Sequence, residues 1–109
     1  MTGPESRTVA GAPTSSEWRA RGNAALGKGD LAQAGECYRQ ATLADPRDPL
    51  PWLNLGVVHL ESARWSEAEE SLARAISLRG AGDDFLHDAH YLLGRAHQQL
   101  ADNAQAMAD

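Results

Sequence analysis

The stretch from 52 to 75, WLNLGVVHLESARWSEAEESLARA, decides the fold because an earlier stretch has the same pattern. Residues 18–41, WRARGNAALGKGDLAQAGECYRQA, place tryptophan, glycine and alanine at the same points, 34 residues earlier. A third, partial copy follows, with Gly94 standing 38 residues after Gly56. A period of this size predicts a chain built by stacking one small unit, and such stacks usually form binding surfaces.

Each copy predicts two helices joined by a short turn. A capping box marks the start of the first helix, with Thr14 or Ser15 as the cap and Glu17 three residues after Thr14, and Gly29 ends this helix. The second helix is expected over about 31–44, the third from Pro49 to the turn at 62–64, and the fourth from about residue 65 to the glycines at 80 and 82. The sequence therefore predicts an all-α chain.

The third unit is displaced by four residues and incomplete, since 38 minus 34 is 4. A helix is expected over about 85–100, a turn at Asp102-Asn103, and the first turn of a sixth helix over 104–109. A repeat array normally needs a closing helix with a polar outer face. Either the chain is a fragment, or the face with Tyr91 and Leu92 pairs with something, so we expect self-association or partner binding through this C-terminal edge.

The chain divides into a tail and one helical domain. Residues 1–14 are rich in Gly, Pro, Ser and Thr and show no helical period, which is typical of a disordered tail. The domain covers 15–109, with units at about 15–48, 49–82 and 87–109.

Composition limits the partners. A length of 109 residues suits one core, and a net charge of -5 argues against nucleic acid or an anionic membrane as partner. Cys37 is the single cysteine, which excludes an intrachain disulfide and favours a reducing, cytoplasmic location. We expect a protein or peptide partner.

The pattern resembles the tetratricopeptide repeat, a helix–turn–helix unit with W-x2-L-G-x2-Y, then A-x3-F, A and P. The resemblance covers about 15–109 and implies a right-handed superhelical stack of antiparallel helix pairs, about 2.5 repeats long, without catalytic activity. The matching residues are Trp18, Gly22, Ala34, Tyr38, Ala41 and Pro46, then Trp52, Leu55, Gly56, Ala68, Leu72 and Ala75, then Leu93, Gly94 and Ala106.

Of the matching residues, we expect the glycines, the alanines and the large side chains to be core, the last being Trp18, Trp52, Tyr38 and Leu72. Helix-interior glycines cost about 1 kcal/mol each relative to alanine. Their recurrence at Gly22, Gly56 and Gly94 predicts that a side chain there would clash with a neighbouring helix.

In tetratricopeptide folds the first helix of each unit lines a concave groove that holds a peptide. Carried over to this chain, the resemblance implies a groove on the first, third and fifth helices. It would present Arg19, Asn23 and Leu26, then Leu53, Asn54, Val57 and Glu61, then Asp88, Tyr91, Leu92, Arg95 and Gln98.

Part of this set also resembles co-chaperone tetratricopeptide domains, which clamp the C-terminal carboxylates of heat-shock chaperones. Arg19, Asn23 and Asn54 match the first three clamp residues in type and spacing. Asp88 and Leu92 stand where the clamp has two basic residues. With Arg19 as the one cation and Asp88 as an opposing carboxylate, the surface would bind a dianionic peptide terminus poorly. Arg95, one turn further along, is an alternative source of the second positive charge.

Other candidate sites have simpler interpretations. His59, His90 and His97 are expected to pack at the aromatic places of the repeat rather than bind a metal, and the glutamates from 67 to 70 are expected to form a solvated face. Cys37 is expected to be a small buried residue. No cofactor is expected. The resemblance leaves two classes of function open: an adaptor that binds a protein segment, and a non-catalytic arm of a larger protein such as a glycosyltransferase or methyltransferase.

Overall fold

The computed structural model describes residues 11–78 and 83–108, and over these ranges the chain is helical with no strand. The predicted all-α class is confirmed. Residues 1–10 of the predicted tail and the glycines at 80 and 82 lie outside the described residues. The helices are α1 (Ser15–Gly27), α2 (Leu31–Ala44), α3 (Pro49–Glu61), α4 (Trp65–Ser77) and α5 (Asp83–Ala108).

Local caps set the starts of the first helices. The Thr14 hydroxyl accepts a hydrogen bond from the Glu17 N–H at 3.1 Å, and the Glu17 carboxylate accepts from the Thr14 N–H at 2.8 Å. Asp30 accepts from the N–H of Gln33 at 3.0 Å and starts α2. Gly29, with φ +78, makes the turn between α1 and α2. These side chains supply the acceptors that a helix start lacks, which is why the predicted starts are right.

Helices that follow each other in the chain pack in pairs, and α3 also contacts α1 and α5. The core forms two clusters along this stack. The first cluster joins α1, α2 and α3 through Ala25, Ala34, Tyr38, Leu55 and Val58. The second joins α3, α4 and α5 through Leu60, Ala68, Leu72 and Ala96.

Close approach within each pair depends on glycine, as predicted. A Cβ added at Gly22 would lie 2.5 Å from the Tyr38 ring, and one at Gly56 would lie 2.5 Å from Leu72. Tyr38 and Leu72 are fully buried. Each glycine therefore opens the space that one large side chain of the partner helix fills.

The remaining signature residues of the first two units pack around these contacts. Trp52 is half-buried, and its indole N–H donates to the Pro46 carbonyl at 3.1 Å. Trp18 is also half-buried, with the Arg21 guanidinium 5.1 Å from its ring centre. The alanines at 34, 41, 68 and 75 are all 0% exposed.

The third unit differs from the prediction. Asp102-Asn103 lies inside α5, which continues to Ala108, so the expected turn and sixth helix are wrong within the described residues. Ala106 and Gly94 are exposed, and a Cβ added at Gly94 would meet nothing within 4 Å. Their assignment to the core is therefore wrong, whereas Leu93 is half-buried against the second cluster.

Among the described residues, none packs on Gly94 of α5 in the way that side chains pack on the two earlier glycines. Gly22 receives Tyr38 and Gly56 receives Leu72, in each case 16 residues later. Residues 95–109 contain no Gly or Pro, so the helix can continue here without a steric conflict. Its continuation also pairs the backbone N–H and C=O groups in hydrogen bonds.

Candidate functional site

The three helices α1, α3 and α5 lie side by side, because α3 contacts both of the others. All the predicted groove residues lie on these helices. The predicted groove residues of α3 are half-buried except for the exposed Glu61, whereas those of α5 are exposed except for the half-buried Leu92. The set comprises Arg19, Asn23 and Leu26 on α1, Leu53, Asn54, Val57 and Glu61 on α3, and Asp88, Tyr91, Leu92, Arg95 and Gln98 on α5.

The α1 end of this surface is polar and partly fixed by the core. The Tyr38 hydroxyl donates to Oδ1 of Asn23 at 2.6 Å, which leaves the Asn23 amide N–H groups to donate elsewhere. Burial raises the pKa of Tyr38, with the Arg19 charge acting in the opposite direction. The phenol therefore stays protonated and holds Asn23 in place across the neutral pH range.

Two buried polar atoms of this surface have no partner. Nε of Arg19 and Oδ1 of Asn54 make no hydrogen bond to any described residue. A buried donor or acceptor left unpaired costs about 1–3 kcal/mol. Arg19 therefore offers an unused hydrogen-bond donor, and Asn54 offers an unused hydrogen-bond acceptor.

The α5 end is chemically mixed. Leu92 packs against the second core cluster, and Asp88 is exposed with its carboxylate 4.0 Å from Nδ1 of His87. Tyr91 is 65% exposed, and the Gln98 amide donates to Asp102 at 2.9 Å. The surface thus runs from a cationic and amide end through the apolar Leu53 and Val57 to this mixed end.

Two of the three histidines that were expected to pack are placed differently from the prediction. His59 is half-buried, and burial lowers its pKa. His90 and His97 are exposed, so their expected packing is wrong. Nε2 of His97 lies 2.6 Å from Oε2 of Glu69 on α4.

Two side-chain contacts were not predicted from the sequence. Tyr38 was assigned only to packing, although its neighbour Gly22 precedes Asn23 and so places the hydroxyl near that amide. The Glu69–His97 contact depends on the offset between α4 and α5, which no spacing in the sequence sets. Over the two described ranges, no three His, Cys, Asp or Glu side chains come together as metal ligands, and no helix is long and apolar enough to cross a membrane.

Comparison with known proteins identifies the same family that the sequence pattern resembles. The family model for the tetratricopeptide repeat matches residues 19–85. The general transcriptional corepressor ssn6 of Schizosaccharomyces pombe is 33% identical over 63 residues, which is 56% of this chain but only 6% of that protein. The chain thus spans a small part of the length of this relative.

A solved structure gives the same fold. The second tetratricopeptide domain of Spaghetti (RPAP3), bound to the HSP90 peptide SRMEEVD, superposes with a TM-score of 0.64. The two sequences are 23% identical, and the match covers 96% of this chain and 98% of that one.

Proposed function

Because this chain belongs to the tetratricopeptide-repeat family, we propose that it is a protein-interaction module that binds a peptide segment in a concave groove formed by α1, α3 and α5. The observation that carries the proposal is the pair of unpartnered polar atoms, Nε of Arg19 and Oδ1 of Asn54. Binding a ligand that satisfies both atoms offsets the cost of their burial.

An extended peptide has the complementary groups. A backbone carbonyl accepts from Arg19 or from the amide of Asn23, and a backbone N–H donates to Asn54. Because Tyr38 already holds Asn23, little side-chain freedom is lost on binding. Leu53 and Val57 then offer apolar surface to one side chain of the peptide.

Charge sets the preferred peptide. Arg19 attracts a single carboxylate, whereas the exposed Asp88 disfavours a second one nearby. We therefore expect a ligand with one acidic group, and we place the chaperone C-terminus, with its paired acids, second. The peptide bound to the structural neighbour, SRMEEVD, is the direct test of that second choice.

Peptide selection followed by calorimetry tests the groove. Heptapeptides selected on the wild-type protein should bind an Arg19→Ala/Asn54→Ala double variant at least tenfold more weakly, while Arg47→Ala, in the exposed turn between α2 and α3, should bind normally. Equal affinity in the double variant, at an unchanged melting temperature, would refute the groove. Micromolar binding of SRMEEVD that is lost in Asn23→Ala would move the chaperone terminus to first place.

A second proposal concerns the assembly that contains the chain. The small share of the ssn6 relative that it covers supports a role as a non-catalytic arm of a larger protein. The buried free thiol of Cys37 supports a cytoplasmic location. Self-association through the exposed side of α5 is a further alternative, which light scattering at rising concentration tests.

A further inference from the structure

A cavity of about 390 Å³ lies between α2 and α3, and we call it the α2–α3 pocket. Its floor is apolar and comes from Leu31, Leu55 and Val58, and its rim carries His59 and Arg64. Both of its walls belong to helices that pack against a neighbour on either side, since α2 contacts α1 and α3, and α3 contacts α2 and α4. The pocket is therefore a feature of the middle of the stack and not of either end.

The repeat contains a second copy of this place, between α4 and α5. Residues of α4 stand 34 positions after their equivalents in α2, and residues of α5 stand 38 positions after those in α3. Glu69 is thus the equivalent of Gly35, and His97 is the equivalent of His59. Glu69 and His97 line a depression between α4 and α5, as Gly35 and His59 line the α2–α3 pocket. The two places can therefore be compared residue by residue.

The two copies differ in what meets the histidine. Between α4 and α5, Oε2 of Glu69 lies 2.6 Å from Nε2 of His97, so the neighbouring helix supplies this histidine with a carboxylate. Between α2 and α3 the same position is Gly35, which has no side chain. No side-chain hydrogen bond joins His59 to a described residue. The α2–α3 pocket is therefore the same place without its carboxylate.

Packing does not require a glycine at position 35. A Cβ added there would meet only Cγ1 of Val58, at 3.4 Å, which is an ordinary van der Waals distance. At Gly22 and Gly56, by contrast, an added Cβ would lie 2.5 Å from a buried side chain. Inside a helix, glycine is less favourable than every residue except proline. What Gly35 provides in return is space beside His59, as glycine does where a ligand approaches the backbone closely.

Charge at the rim favours an acidic ligand. Glu36 is the one carboxylate among the lining residues, and it already accepts hydrogen bonds from Arg39 and Gln40, each at 2.9 Å. The Arg64 guanidinium lies 3.9 Å from Glu67, which is too far for a hydrogen bond, so its donors are available. Two arginines and one glutamate give the lining a formal charge of +1, in a chain whose net charge is -5. The pocket thus attracts an acidic group that most of this chain would repel.

We propose that the α2–α3 pocket binds an acidic side chain of a partner protein, a glutamate or aspartate flanked by aliphatic residues. Its carboxylate takes the place beside His59 that Glu69 holds beside His97, and it also accepts from Arg64. The aliphatic neighbours of the acid cover the apolar floor of the pocket. Burial lowers the pKa of His59, so at neutral pH its uncharged ring offers one N–H to the carboxylate.

The pocket is a different site from the groove. Leu55 and His59 lie on another side of α3 from Asn54 and Val57, because successive helical residues are about 100° apart. A second copy of this chain is a poor occupant, since two chains of net charge -5 repel each other. A partner segment with a single acid and little other charge fits the pocket better.

Calorimetry and NMR with a defined peptide test the proposal. The probe is acetyl-Gly-Leu-Glu-Leu-Gly-amide, and its matched control has glutamine in place of glutamate. We expect saturable binding of the glutamate probe alone, weaker at high salt. The ring resonances of His59 should shift on binding, while those of the exposed His87 should not.

A carboxylate built into the pocket should compete with the partner. Gly35→Glu restores the residue that the second copy has at Glu69, so it should bind the probe at least tenfold more weakly. Its melting temperature should stay the same or rise, because glutamate favours helix more than glycine does. Gly35→Ala is the matched control, since its Cβ fits beside Val58 and leaves room for the carboxylate, and it should bind the probe normally.

Further variants separate this site from the groove. Arg64→Gln should reduce affinity and its salt dependence, whereas Arg47→Gln, which is exposed, should change neither. The groove variant Arg19→Ala/Asn54→Ala should bind the probe as the wild type does. Loss of binding in that groove variant would overturn the proposal, because the probe would then lie in the groove.

Three other results would also overturn it. The first is no binding to the wild type, or equal binding by the wild type and Gly35→Glu. The second is a gain in affinity in Glu5→Gln, which would make an acid of this chain the natural occupant. The third is a wild-type dimer that Gly35→Glu converts to a monomer, since a second copy would then fill the pocket.

Discussion

Gly56 and Gly94 hold the same place in the repeat but lie in different environments. A side chain at Gly56 would meet Leu72, which is fully buried and has no room to move. A side chain at Gly94 would extend into open space. The same substitution should therefore have opposite effects at the two positions.

We expect Gly56→Leu to prevent folding and Gly94→Leu to leave the melting temperature unchanged or raise it. Overpacking of a tight core costs about 1–3 kcal/mol or more, a large share of the stability of a small domain. The exposed replacement gains about 1 kcal/mol in helix propensity. Thermal denaturation followed by circular dichroism measures both, and a folded Gly56→Leu variant would contradict the assignment of the interface.

His59 makes stability depend on acidity. Burial lowers its pKa in the folded chain, whereas the unfolded chain keeps the ordinary value of about 6.5. The unfolded state therefore binds more protons as the pH falls. The contribution of neutral His59 to stability is fully present above about pH 6.5 and is lost as the pH falls through the lower, folded value.

The melting temperature should therefore be lower at pH 5.5 than at pH 7.5, and His59→Asn should reduce the difference. His87→Asn is the matched control, since the His87 side chain is 87% exposed. If the wild type and His59→Asn lose the same number of degrees on acidification, His59 is not responsible.

At the scale of helices, the sequence predicts those parts of the fold that local chemistry and repetition determine. Thr14 and Gly29 mark helix ends by capping and by left-handed backbone, so the bounds of α1 followed directly. Tyr38 and Leu72 were predictable as core because each recurs at a fixed distance from a glycine. The continuation of α5 through Asp102 was not predictable in this way, because a helix turns or continues at such a place according to tertiary packing rather than local sequence alone.

The candidate site shows the same division. The spacing of Arg19, Asn23 and Asn54 was enough to place them on α1 and α3. The hydrogen bond from Tyr38 to Asn23 and the contact between Glu69 and His97 depend on how neighbouring helices are offset, which the sequence pattern does not determine.

We expect the C-terminal end of α5 to contribute little to the stability of the fold. Side chains from 101 to 107 are all exposed, with Met107 at 87%. Removing residues 102–109 should shift the melting temperature by no more than about 2 °C, because little apolar surface is lost from the core. Truncation after Gly94 is the matched control, since it removes the fully buried Ala96 and should destabilise strongly. A large loss on the shorter truncation would mean that this end packs against the body.

At the scale of the whole molecule, α3 is the element that joins the stack. It contacts every other helix and contributes Leu55 and Val58 to the first core cluster and Leu60 to the second. Each outer helix instead packs mainly on one neighbour. In repeat proteins stability is close to a sum of units and of interfaces between neighbours, so the ends open more readily than the centre.

Amide hydrogen exchange should therefore be slowest in α3, around Leu55 to Leu60, and faster in α1 and in the C-terminal half of α5. Leu55→Ala and Leu60→Ala should each cost about 2–5 kcal/mol and should each accelerate exchange on their own side of α3 first. Leu43→Ala is the control, because that side chain is 63% exposed and belongs to neither cluster. Uniform protection from α1 to α5, unchanged in pattern by either core variant, would show that the chain opens only as one unit. If protection instead falls off from α3 towards α1 and α5, the outer helices open independently of the centre. A peptide bound across α1, α3 and α5 should then slow amide exchange most in the two outer helices.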